Sequence, residues 1–257
     1  MTRSLRPLLA TTLIFLFAYA LAVSQQPAML STRVLGNFLT DNAFLGIAAV
    51  GMTFVILSGG IDLSVGAVIG FTTVLIAVLI MWLNLHPLIA FAIALIVAAA
   101  FGAIMGAAIH YLKVPSFIVT LAGMFLARGG ASVLSPDSIG IEHPFFTAVQ
   151  KSYILLPGGG RLTVVGMIML AVFAAAILLA HRTRFGSNVY ALGGSETSAA
   201  LMGVPVARTT ITIYALSSFL AGLAGVVFSL YTSAGYSLNA LGVELERRRR
   251  AQAHGRQ

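Results

Sequence analysis

The chain has 257 residues, of which 59% are hydrophobic and 9% charged, with 15 Lys and Arg against 7 Asp and Glu. Soluble domains carry about 25% charged residues, so this composition excludes a cytosolic enzyme, a nucleic-acid-binding domain and a disordered chain. The net charge of +8 is no nucleic-acid footprint, because the basic residues sit in short gaps between apolar runs and in a terminal cluster.

A spanning helix needs about 20 mainly apolar residues. Charge-free intervals of that length predict an all-α, polytopic transmembrane helical bundle with about seven spans. The first, near 8–23, follows Arg3 and Arg6. A basic start, an apolar run and Ala22-Val23-Ser24 also fit a cleavable signal peptide, but more membrane follows, so a retained helix is expected. Further spans fall near 43–58, 64–82, 88–110, 115–134, 163–180 and 211–231, with Arg128 towards the end of the fifth. Small residues recur four apart, as Gly66 and Gly70, Gly102 and Gly106, Ala221 and Gly225, a spacing that lets helices approach closely. With the N-terminus in the cytoplasm, Arg3, Arg6, Lys113, Arg182, Arg184 and Arg208 fall inside, and Arg33, Lys151 and Arg161 outside with Asp137 and Glu142. That distribution follows the positive-inside rule.

Residues 58–66 interrupt the apolar pattern with Ser58, Gly59, Gly60, Asp62, Ser64 and Gly66. Paired glycines weaken a helix by about 1 kcal/mol each, and Ser and Asp favour turns and caps. Asp62 or Ser64 suits the N-cap of a helix starting near Leu63. Two readings follow. One is a cytoplasmic turn with Asp62 as a solvated cap, which the spacing favours. The other is a discontinuous helix near a translocation path, since irregular backbone is tolerated at membrane depth only when buried in protein or lining a cavity.

The interval 181–210 is the longest inside loop, and 135–162, closing on Pro157-Gly158-Gly159-Gly160, the longest outside. A short helix is predicted from Ser195 to Met202, with Ser195 as N-cap, Glu196 in the first turn, Gly203 as the stop and Pro205 beyond. Its apolar residues Ala199, Ala200, Leu201 and Met202 suit either a membrane surface or a partner's groove.

Catalytic signatures are missing. There is no G-x-x-x-x-G-K-[ST] phosphate loop, no H-E-x-x-H and no G-x-S-x-G. The five His are scattered and no carboxylates pair within the apolar segments. The chain has no cysteine, which excludes disulfides, thiolate metal sites and thiol catalysis. No catalytic residue, metal or cofactor is expected in this chain.

The run 42–66, N-A-F-L-G-I-A-A-V-G-M-T-F-V-I-L-S-G-G-I-D-L-S-V-G, resembles the permeases of bacterial ABC sugar importers, the ribose, xylose and galactofuranose group within a class that includes branched-chain amino acid permeases. The motifs V-P-S-F-I-V-T-L-A-G-M at 114–124 and F-G-S-N-V-Y-A-L-G-G-S-E-T-S-A-A-L-M-G-V at 185–204 match in order and spacing. The Ser31-Thr32-Arg33 region and P-G-G-G-R-L at 157–162 resemble the galactofuranose type. The resemblance implies a transmembrane permease domain over 1–245 in the bacterial inner membrane, among lipid. It would pair with a second permease, a cytoplasmic ABC ATPase holding ATP and Mg, and a periplasmic sugar-binding protein. It also implies that Glu196, Ala199, Ala200, Leu201, Met202 and Gly203 form the helix that couples to the ATPase. Transport would run by alternating access, with Asn42, Thr53, Thr72 and Thr73 either lining the path or bonding to backbone.

After Gly242-Val243-Glu244-Leu245 the chain departs from that family and turns to Arg247-Arg248-Arg249-Arg250 within an Arg-rich tail, 246–257. The expectation is a truncation, with about seven of roughly ten spans present; a basic tail on acidic lipid is the alternative. Competing readings are a branched-chain amino acid or nucleoside permease, an intramembrane enzyme using Asp62, and a non-transporting remnant.

Overall fold

The computed structural model of the chain describes residues 5–235. The Arg-rich segment 246–257 and the departure from the family pattern lie outside the described residues.

Eleven α-helices run in chain order among the described residues, with a 3-10 turn at Pro27–Leu30 between the first two: α1 (Leu5–Gln25), α2 (Thr32–Asp41), α3 (Ala43–Leu57), α4 (Val65–Met81), α5 (Pro87–Leu112), α6 (Ser116–Leu134), α7 (Pro144–Lys151), α8 (Val164–Arg182), α9 (Arg184–Gly194), α10 (Glu196–Leu201) and α11 (Val206–Thr232). Four short strands, β1 (Ile139–Gly140), β2 (Tyr153–Leu155), β3 (Arg161–Thr163) and β4 (Ala234–Gly235), form two antiparallel pairs, β1 with β4 and β2 with β3. These pairs lie in the connections, are too short for a periodic signal, and leave the architecture a helical bundle.

Each of the seven apolar intervals holds a helix. Among the described residues, α5, α6, α8 and α11 are long and apolar enough to cross a membrane alone. The pair α2 and α3, bent by 58°, counts as a fifth span if taken together, while the Leu9–Gln25 part of α1 and the whole of α4 are shorter apolar helical stretches. Of α4's 17 residues all but four are buried, so it sits at the centre of the bundle.

Local chemistry sets the boundaries. Both α5 and α7 begin His-Pro: His86 Nδ1 accepts from Leu88 N at 3.3 Å, and His143 Nδ1 accepts from Phe145 N at 3.1 Å. Proline at the first helical position has no N–H to leave orphaned. The α5 helix stops at Lys113, which takes left-handed φ of 55°, and α11 stops likewise at Ser233. Thr163 and Thr183 cap α8 and α9 by accepting from Gly166 N and Gly186 N.

Helices in lipid gain little from hydrophobic burial against each other, so close approach decides packing. The α5–α11 crossing shows it: a Cβ on Gly102 would run into the Tyr214 carbonyl, and one on Gly106 would lie 2.8 Å from Ile211 Cα.

The connections gather at two ends. Gly193 lies against Leu57, Lys113 pairs with Glu196, and Ile61 N bonds to Ser116 Oγ, so residues 58–64, 113–115 and 183–205 share one end. At the other, Gly160 N bonds to Thr32 Oγ1, Tyr231 to Asp41, Ser138 to Gly235 O, and the rings of His86 and His143 meet edge-on.

Candidate functional site

Both sequence-singled groups lie at the first of these ends. Residues 58–64 form an irregular break between α3 and α4. Ser58 turns the chain by bonding its Oγ to Val55 O at 2.7 Å. Gly59 holds φ of +79°, where a side chain would be strained. Gly60 faces the Tyr214 hydroxyl so closely that a Cβ would clash.

Asp62 is 5% exposed, which corrects the expectation of a solvated cap. Ser64 donates twice to its Oδ1, from N at 2.9 Å and from Oγ at 2.6 Å. Ser217 Oγ donates to its Oδ2 at 2.8 Å. A carboxylate can be buried when donors satisfy its oxygens, and here three do. Ser217 lies 11 residues into α11, about 16 Å along its axis. The break therefore dips into the bundle and is held there by α6 and α11, through Ser116, Thr120 and Ser217. Helix α4 starts at Val65; Ser64 occupies its N-cap position without capping it, because its hydroxyl is spent on Asp62. Gly66 is exposed with open space around it, so nothing there requires glycine.

The interval 181–210 is not a loop with one helix but an elbow of two, α9 and α10. Sequence inspection passed over α9, whose Gly-Ser-Asn composition reads as a turn. Its last turn packs on the end of α3, where a Cβ on Gly193 would strike the Leu57 carbonyl. In α10, Ser195 Oγ accepts from Ser198 N at 3.2 Å, Glu196 stands in the first turn, and Gly203 takes φ of +81°. Ala199, grouped with the docking residues by its apolarity, is 0% exposed and anchors the helix inward. Ala200 is exposed, as are Leu201 at 86% and Met202 at 70%. Glu196 Oε1 lies 3.8 Å from Lys113 Nζ, tying α10 to the α5–α6 turn. A cleft of about 310 Å³ between them is lined by Ser58, Gly59, Gly60, Lys113, Glu196 and Tyr214.

Of the four polar residues considered for a path, three bond to backbone: Asn42 to Phe38 O, Thr53 to Ala49 O and Thr73 to Gly70 O. Thr72 is buried, and its hydroxyl has no partner among the described residues. Among the described residues there is also no group of three metal-ligating side chains.

A bundle of apolar helices, four of them long enough to cross a membrane alone, has the make-up of a polytopic membrane protein. Residues 34–246 match the family described as branched-chain amino acid transport system / permease component, and the chain belongs to that family. It is 56% identical over 240 residues to the inner membrane ABC transporter permease protein YjfF of Escherichia coli, covering 93% of this chain and 72% of that protein. It is 36% identical to the fructose import permease protein FruG of Bifidobacterium longum, covering 95% of this chain and 73% of that one. To the ribose import permease protein RbsC of Escherichia coli it is 35% identical, covering 88% and 70%. No solved structure matches the chain. The protein is thus an inner-membrane transport component with several spans, an ABC permease and not an enzyme.

Proposed function

We propose that the chain is the membrane-spanning permease of an ATP-driven importer that moves a monosaccharide of the ribose or galactofuranose type by alternating access. One observation carries the mechanism: α10, which offers Leu201 and Met202 outward, leads back through α9 and Gly193 to the glycine break, whose Asp62 holds α11. A push on α10 reaches α3, α4 and α11 together. Packed helices respond to such a push by rigid shifts, not continuous deformation.

In this reading a cytoplasmic ATPase, holding ATP and Mg, seats on Ala200, Leu201 and Met202. A second permease completes the path, and a periplasmic sugar-binding protein delivers the cargo at the other end. Charge supports that orientation. The α10 end carries Lys113, Arg182, Arg184 and Arg208 against Glu196 and buried Asp62; the other end balances Arg33, Lys151 and Arg161 with Asp41, Asp137 and Glu142. An excess of basic residues is the bias of cytoplasmic loops, and it supports a reading with the N-terminus inside. Ser58, Gly59, Gly60, Asp62 and Ser64 then act as the hinge beside the path, with Gly66 in the turn that follows.

The relatives named for fructose and ribose import support a sugar cargo. The family's description favours a branched-chain amino acid as the second reading. Proteoliposomes holding this chain with its ATPase and binding protein separate the two. ATP-dependent uptake of labelled ribose or galactofuranose is expected; uptake of leucine and of neither sugar would replace the proposal.

A further inference from the structure

Away from the first and last turns of α3–α6, α8 and α11, one charged side chain occurs among the described residues: Arg128 in α6. It is exposed and makes no ion pair or hydrogen bond among the described residues. The face of α6 turned to the bundle is the stripe Thr120, Gly123, Ala127 and Ala131. Leu126 and Gly130, to one side of it, border an apolar cleft of about 240 Å³ shared with α4 and α5. Arg128 is on the other flank, about 100° round from Ala127.

Its depth matters. Helix α6 has 19 residues, about 28 Å, close to the thickness of the hydrocarbon layer. Arg128 sits six residues, about 9 Å, from Leu134. Helical side chains lean toward their own N-terminus. For α6 that direction leads away from the nearer interface and toward the level of Phe125 and Leu121. The Cα–Cβ bond of Arg128 therefore leans toward mid-membrane, which works against snorkelling to the nearby headgroups. A permanent cation at that depth against lipid is costly, and such residues face water-filled cavities or polar partners.

We propose that the Arg128 flank of α6 lines a water-filled path and that the guanidinium donates hydrogen bonds to the hydroxyl oxygens of a sugar in transit. The sugar half of this proposal rests on the import reading above; the water-filled flank does not. Arginine offers five donors and no acceptor, which suits the oxygen-rich edge of a neutral sugar.

The chain has no native cysteine, so Arg128→Cys, Phe125→Cys and the control Leu126→Cys each carry its sole thiol. The permease is assembled with its ATPase in nanodiscs, open to reagent from both faces, and exposed to a charged, membrane-impermeant methanethiosulfonate. Labelling is read on this chain's band. Arg128→Cys and Phe125→Cys are expected to label and Leu126→Cys to stay dark. Excess transported sugar should slow the two reactions at least about threefold, as a competing occupant does. Phe125→Cys keeps the arginine and carries the test should Arg128→Cys not assemble. Silence at both positions puts the flank against lipid or protein and overturns the proposal; labelling that sugar leaves unchanged overturns the binding role. Failure of the import reading shows separately, as a wild-type complex that takes up no sugar.

Discussion

At the residue scale the site turns on Asp62. Its carboxylate receives Ser64 N, Ser64 Oγ and Ser217 Oγ, and so joins the break to α11. Asp62→Ala leaves those donors buried without an acceptor, at about 3 kcal/mol or more. Asp62→Asn keeps the shape and part of the bonding, and is expected to lose about 1–2 kcal/mol. Thermal unfolding of the detergent-solubilised protein orders wild type above Asp62→Asn above Asp62→Ala; an Asp62→Ala variant as stable as wild type would remove the link to α11. The break itself was legible in the sequence, because two glycines beside Ser and Asp interrupt an apolar run. The fate of Asp62 was not, because Ser217 lies 155 positions away and no local pattern names it.

At the scale of elements, α10 illustrates what six residues can and cannot announce. Its caps were readable: Ser195, Glu196 and Gly203 occupy the positions that start and stop a helix. Which side faces inward was not, since four successive apolar residues point all round a helix and only packing chooses among them. Packing buries Ala199 and leaves Ala200, Leu201 and Met202 free. Replacing Ala200 and Met202 together by Glu is expected to abolish co-purification of the ATPase while membrane insertion persists. Ala199→Glu buries an unpaired charge instead and should lower the yield of folded permease. Undiminished ATPase capture by the double variant would remove the docking role from α10.

At the scale of the whole molecule, the connections sort into two groups that touch within each group, Lys113 with Glu196 at one end and Thr32 with Gly160 at the other. This sorting predicts sidedness. A single cysteine at Lys151 should react with an impermeant thiol reagent on intact cells, and one at Thr197 only after the inner membrane is opened. The reverse pattern would place the N-terminus outside.

Composition and the length of charge-free runs by themselves determined that this chain crosses a membrane repeatedly and that its helices lie about where they do. Lipid leaves a backbone few alternatives to a helix, so an apolar run of sufficient length settles its own conformation. Three separated motifs added the family. Only the tertiary structure decided that Asp62 is buried, that α9 exists as a helix against α3, and that Ala199 turns inward while Arg128 turns out. Each of these depends on a neighbour brought close from far along the chain, or on the absence of one, and residue order carries no record of that.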